Sequence, residues 1–450
     1  MEQNYSWAWI EAQTKESMEA WNGCALRFLP SIPRYTLKQQ RAHEQAYDQG
    51  LRAVERETQR VLLNRAERDS VRRRMAALIP RFAANALDFD SETIDLLTQC
   101  FFPVGREFAH KARAFDPNLA SADLIQACRN AWIACGMQSL LGRTMELTPA
   151  ILAYSLLYPY SDNYLDNLAV TDTEKRSFNE RFRQRLRGQR IDACNSHEAA
   201  VWAMVQMIEG QYPRPRYPQV YDSLLAIHQA QEQSIAQLNH GEGLDHSSDE
   251  DELLRITCAK GGSSVLADAC IAQPWLTPEE CSFSFEWGVL LQLGDDLQDV
   301  REDMERGSLT LFTRAVRQGK PLDGLVRQLL HFSDQVAIRM DNLANGSSKL
   351  KDLLRMSWRS LILMAVADAQ PFCSPAFLAE LEPSSAFRFD FLRSRHQKLA
   401  GHEARYASLF DTFIEDDPIG QSEASSLCKE LPFHDLSPIS ELRTLSGSFA

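Results

Sequence analysis

A chain of 450 residues, 44% apolar and 24% charged, can bury one large core or two ordinary ones, and its composition is that of a globular protein. A net charge of −13 argues against a nucleic-acid-binding surface, but not against an anionic substrate, because bound cations invert a local field. The longest apolar run, Leu361 to Ala367, is too short to span a bilayer; the acidic N-terminal stretch lacks the apolar stretch of a signal peptide, so a cytoplasmic protein is expected.

The ten cysteines have no paired C-x-x-C spacing. Cys128, Cys135, Cys258 and Cys270 sit among apolar neighbours, which predicts reduced, buried thiols. Residues 1–35 are Trp-rich and mixed, closed by Pro30 and Pro33. Residues 36–79 read as one or two long polar helices with a thin apolar stripe. Asp116-Pro117 starts a loop before a helix near 121–141. Thr148-Pro149 is a cap-and-first-turn pair for a helix over about 149–168.

A basic helix follows at 171–188, then helices near 196–210 and 219–239, and a polar connector from Gly241. Helices near 251–272 and 278–305 meet at Pro274 and Pro278, and others follow near 309–318, 321–344 and 349–369. No strand alternation of useful length appears. The expectation is an all-α protein, a single large helical bundle around a central apolar cavity. Residues 1–80 form an N-terminal helical extension, 81–410 the main α domain, and 411–450 an acidic, loosely ordered tail.

Three segments carry the chemistry. The first is Asp162-Asn163-Tyr164-Leu165-Asp166, where Tyr154, Tyr158, Asp162 and Asp166 recur at four-residue steps and share a helix face. The second, Gln292-Leu293-Gly294-Asp295-Asp296-Leu297-Gln298-Asp299, repeats the design: Trp287 and Leu291 precede Asp295 at the same step, and Asp303 extends the acidic face. The third is Lys260-Gly261-Gly262, whose glycines cost about 2 kcal/mol of helix propensity unless a backbone break or a close helix approach requires them. Plainer readings exist: half-buried helices with wet acidic ends, and a kink beside a surface lysine. Clustered carboxylates repel unless a cation lies between them, and Mg²⁺ prefers a few carboxylates plus a substrate phosphate.

Together these segments resemble the class I isoprenoid synthase superfamily, over about residues 120–315. The similarity is to the trans-prenyl diphosphate synthases and to terpene synthases derived from that branch. Gln292, Asp295, Asp296 and Asp299 fill the family's Q-x-x-D-D-x-x-D motif, whereas Asp162, Asn163 and Asp166 match its D-D-x-x-D motif with Asn in the second position. The resemblance implies a cluster of three Mg²⁺ held by Asp162, Asn163, Asp166, Asp295, Asp296 and Asp299. It further implies a prenyl diphosphate substrate gripped by Lys260 and Gln292, with Lys175 and Arg176 standing in for the family's paired arginines. Tyr154, Tyr158, Trp287 and Leu291 would form the cavity wall, and a homodimer is compatible with it.

The family's basic G-K-x-x-R-P segment, which grips an isopentenyl diphosphate acceptor, is not apparent; Arg106, Lys111 and Arg113 are the nearest cluster. The implied activity is therefore a terpene synthase that ionises a linear prenyl diphosphate, cyclises or deprotonates it, and releases diphosphate. A prenyltransferase condensing an allylic diphosphate with isopentenyl diphosphate is the alternative. A catalytically silent helical partner of a synthase is the alternative from another class, motivated by Asn163. On the motif alone, Asn163→Asp is expected to be tolerated.

Overall fold

Local signals start the helices where the sequence places them. The Thr148 hydroxyl accepts the Ile151 N–H at 3.2 Å with Pro149 in the first turn, and Thr171/Glu174 and Thr277/Glu280 form reciprocal capping boxes. The computed structural model describes residues 5–63, 68–167, 169–234 and 250–400; the side chains of Asp162 and Asp166, and the predicted acidic tail, lie outside the described residues.

In chain order the helices are α1 (Trp7–Asn22), α2 (Leu37–Leu63), α3 (Arg68–Leu87), α4 (Ser91–Leu96), α5 (Phe102–Phe115), α6 (Ser121–Leu140), α7 (Pro149–Asp166), α8 (Asp172–Leu186) and α9 (Ser196–Gln211). They continue as α10 (Pro218–Ser234), α11 (Glu250–Ala272), α12 (Pro278–Gln298), α13 (Val300–Arg306), α14 (Leu311–Arg317), α15 (Asp323–Asp341), α16 (Ser348–Asp368), α17 (Pro375–Leu381) and α18 (Phe389–Ala400). Among the described residues there is no strand, so the chain is all-α.

Helix α11 is the central element. Leu266 and Cys270 belong to a core shared with α1, α12, α15 and α16, while Ala267 and Ile271 belong to a second core shared with α6, α7, α9 and α10. A helix buried on opposite sides is apolar all round, which is why α11 shows little amphipathic periodicity in sequence. Its glycines serve close approach and not a break, since α11 runs unbroken through Gly261-Gly262. A Cβ on Gly288 would collide with the backbone of Gly261, and one on Gly262 with the Phe285 ring.

Several elements differ from expectation; α3, for one, runs on through Pro80 to Leu87, across the boundary expected between residues 80 and 81. The sequence delimits no helix within residues 1–35 of the helical extension expected over 1–80, yet α1 forms and sends Ile10 and Trp21 into the core; burial supplies what its irregular pattern does not. The single helix expected over 278–305 is two, because Asp299 leaves helical geometry (φ −90°, ψ 7°) between α12 and α13. Helix α13 then stops at Gly307, whose φ of 80° suits only a residue without a Cβ.

Candidate functional site

Both aspartate motifs lie at one end of the bundle. The Thr257 hydroxyl donates to Asp296 at 3.1 Å, and further along the same pair Gly261 meets Gly288, so α11 and α12 are antiparallel. The Tyr154 hydroxyl donates to the Ser264 carbonyl at 3.0 Å, and Tyr212, next to the start of α7 through the Gln211–Ala150 bond, donates to the Ile271 carbonyl at 2.6 Å. Helix α7 is therefore antiparallel to α11 as well. At about 1.5 Å per residue, its backbone at 162 lies level with the Thr257 turn.

Four carboxylates occupy the α12 end. Asp296 is buried and accepts from Gln292 Nε2 at 2.9 Å and from Thr257. Burial pushes its carboxyl up to about 7, with Asp303 adding repulsion against Gln292, Lys260 and Thr257. Asp299 is pushed up to about 6 by the same desolvation and by the charges of Asp295, Glu302 and Asp303. Asp295 and Asp303 are also raised, first by desolvation; Arg129 and Lys260 oppose the rise at Asp295. Asp295 and Asp299 nonetheless keep exposed side chains.

Among the described residues none of these four carboxylates makes an ion pair within 4.0 Å. Nor do three acidic, His or Cys side chains there come together as a closed metal cage. Mg²⁺ does not demand one: it is usually held by one or two carboxylates, with waters and phosphates completing its shell. Hard oxygen donors whose charge is destabilised for want of a cation fit that ion.

The other predicted residues divide. Lys260 is half-buried and faces Asp295, Asp296 and Asp303. Asn163 donates to Asp123 Oδ1 at 2.8 Å, so Asp at 163 would bring two carboxylates together; this reverses the expectation that Asn163→Asp is harmless. Lys175 and Arg176 are in the first turns of α8, and no interaction among the described residues joins them to the α12 end.

Tyr154 and Tyr158 line a narrow cleft with Leu157, Phe182, Ile227 and Ser264, of about 40 Å³. That is room for about one water, against roughly 300–1,000 Å³ for typical ligand pockets. Trp287 instead lies in the core, its ring 5.6 Å from both Phe283 and Trp358, and Leu291 packs against that core.

Arg129 on α6 and Thr257 on α11 join the site although nothing in the sequence singles them out. Arg129 belongs to no motif, and only the fold brings α6 to this end. No protein-family model matches the chain, and a search of curated proteins finds none that matches it.

Proposed function

We propose that the chain is a Mg²⁺-dependent class I terpene synthase, which ionises a linear prenyl diphosphate and releases diphosphate. The observation that carries this reading is the group of raised, unpaired carboxylates at the α12 end, with Lys260 and Arg129 facing it and the α7 motif at the same level. Asp295, Asp296 and Asp299, with Asp162 and Asp166, are the residues that would hold the metal. Bound there, Mg²⁺ neutralises the diphosphate and stabilises its departure.

The chain's own groups do the rest. Lys260 and Arg129 bind diphosphate oxygens by charge-assisted hydrogen bonds. Gln292 and Thr257 fix the orientation of Asp296. The hydrocarbon would lie towards the cleft beside Tyr154 and Tyr158, which at about 40 Å³ must open to admit it, and aromatic faces there would stabilise the allylic cation by roughly 2 kcal/mol when desolvated.

A condensation would need a second basic grip. The nearest cluster is committed locally: Arg113 donates to the Leu119 carbonyl and, at 3.1 Å, to Ser121, while Lys111 pairs with Glu107 at 2.7 Å. This favours ionisation without an acceptor. The test is incubation with prenyl diphosphates of several lengths and Mg²⁺, with and without isopentenyl diphosphate, analysed by mass spectrometry. Hydrocarbon or alcohol plus free diphosphate without the acceptor is expected. A longer prenyl diphosphate formed only with the acceptor would make the chain a prenyltransferase, and no turnover under either condition would favour the silent partner.

A further inference from the structure

The end of α7 is held by side chains as well as by its own backbone. Pro159 lacks an N–H, so the helix loses one bond a single turn before the motif. Beyond it, four anchors reach four different elements. The Tyr160 hydroxyl donates to Asp116 Oδ2 at 2.5 Å, in the loop after α5, and Asn163 donates to Asp123 on α6. Tyr164 packs on Phe178 of α8 at 4.9 Å between centroids and stacks on His197 of α9 at 4.3 Å and 18°.

His197 is the hub of this group. Its ring also stacks on Tyr160 at 5.9 Å and meets Phe178 edge-on at 5.1 Å. Its Nε2 is buried and without a hydrogen-bond partner, while the ring is also hydrogen-bonded to the Tyr160 backbone, so it holds the end of α7 both as a flat surface and through that one bond. Tyr164 falls between the two aspartates of the motif. At 100° per residue its helix position is on the far side from positions 162 and 166. Pinning Tyr164 against α9 therefore fixes the rotation of the last turn and turns positions 162 and 166 away from α9.

We infer that His197 is a positioning residue for the first aspartate motif, acting through its stack on Tyr164 to fix the aim of that motif toward a Mg²⁺–diphosphate pair. The inference rests on the proposed function and adds a residue that no acidic or basic motif contains.

The test is calorimetric titration of Mg²⁺ with inorganic diphosphate into the full chain, comparing wild type, His197→Ala and His197→Phe, with circular dichroism on each. His197→Ala is expected to weaken binding about tenfold, the scale of one lost aromatic pair. His197→Phe, which keeps the stack and removes both nitrogens, should stay within about twofold of wild type. Equal binding by wild type and His197→Ala would overturn the inference and leave the proposed function standing. Binding by His197→Phe as weak as by His197→Ala would also overturn it, because a ring nitrogen and not the stack would then be what the site uses. If His197→Ala loses its helix signal, the comparison of His197→Phe with wild type decides. No binding by wild type would remove the proposed function and this inference with it.

Discussion

Two regions bury carboxylates and treat them in opposite ways. On the face formed by α8, α9 and α10, Glu198 receives two bonds of 2.8 Å from Arg181, and Glu209 is bonded by both Arg185 and Arg214. Burial pushes both glutamates up, yet the arginine hydrogen bonds outweigh it and hold both below the usual carboxylate range. At the α12 end burial acts alike, no described arginine or lysine pairs with the acids, and Asp295, Asp296, Asp299 and Asp303 are all raised. A carboxylate paired within the chain is complete as structure. A group of them left unpaired could be completed by a cation from outside, which is what the proposed site would use.

The largest expected effect breaks the acidic end itself. Asp296→Ala should lower diphosphate release from a prenyl diphosphate at least about 100-fold, the scale of losing one charge-stabilising group, whereas Glu209→Gln should leave the turnover of the folded fraction nearly unchanged. Similar losses in both variants would erase the distinction between the regions.

The next effect concerns how the end is assembled. Gly288→Ala should destabilise the fold by about 1–3 kcal/mol through overpacking against Gly261, because the α11–α12 crossing brings Thr257 and Lys260 to Asp296. Denaturant unfolding measures it, and an unchanged midpoint would show that the helices can separate freely.

Stability should also change with opposite sign in the two regions. In metal-free protein at pH 8, Asp296→Asn should raise the Tm, since it removes a charge the fold disfavours. Glu198→Gln should lower it, since it leaves Arg181 short of its partner. Thermal melts of the two variants, run side by side, make the check.

The smallest effect is a slope. Folded-state values of about 7 for Asp296 and about 6 for Asp299 exceed that of an unfolded aspartate, so the folded state binds more protons across that window. Their contribution is present below about pH 4 and is lost as pH rises towards 7. Glu286, buried beside Arg339 and pushed up to about 7, adds a slope of the same sign. Asp296→Asn should therefore flatten the fall in Tm between pH 4 and 8 only in part, and an unaltered slope would reassign it to other raised acids, among them Asp268, Asp299 and Glu286.

Much of the fold was legible because caps and prolines are local. Thr148-Pro149, Pro278 and the helix expected from 171 mark starts that agree with α7, α12 and α8 to within a residue. Helix α1 was not legible, since its stability comes from Ile10 and Trp21 meeting helices hundreds of residues away. Of the site, the spacing of Asp295, Asp296 and Asp299 put them on one helix end, and Lys260 follows from its glycines. Arg129 was hidden because α6 reaches this end only through tertiary packing, and the Asn163–Asp123 bond because it joins residues 40 apart. Trp287 shares a helix face with Asp295 by spacing, yet its position depends on α16, whose Trp358 packs against it.

The most direct test asks whether cation binding displaces the protons that these carboxylates hold. Mg²⁺ with inorganic diphosphate should be titrated at pH 6.5 and pH 8 in two buffers of different ionisation enthalpy, into wild type and Asp296→Asn. The account predicts saturable binding by wild type, with more protons released at pH 6.5 than the variant releases and a smaller difference at pH 8. Binding without a difference in proton release between wild type and Asp296→Asn, or no binding at all, would contradict it.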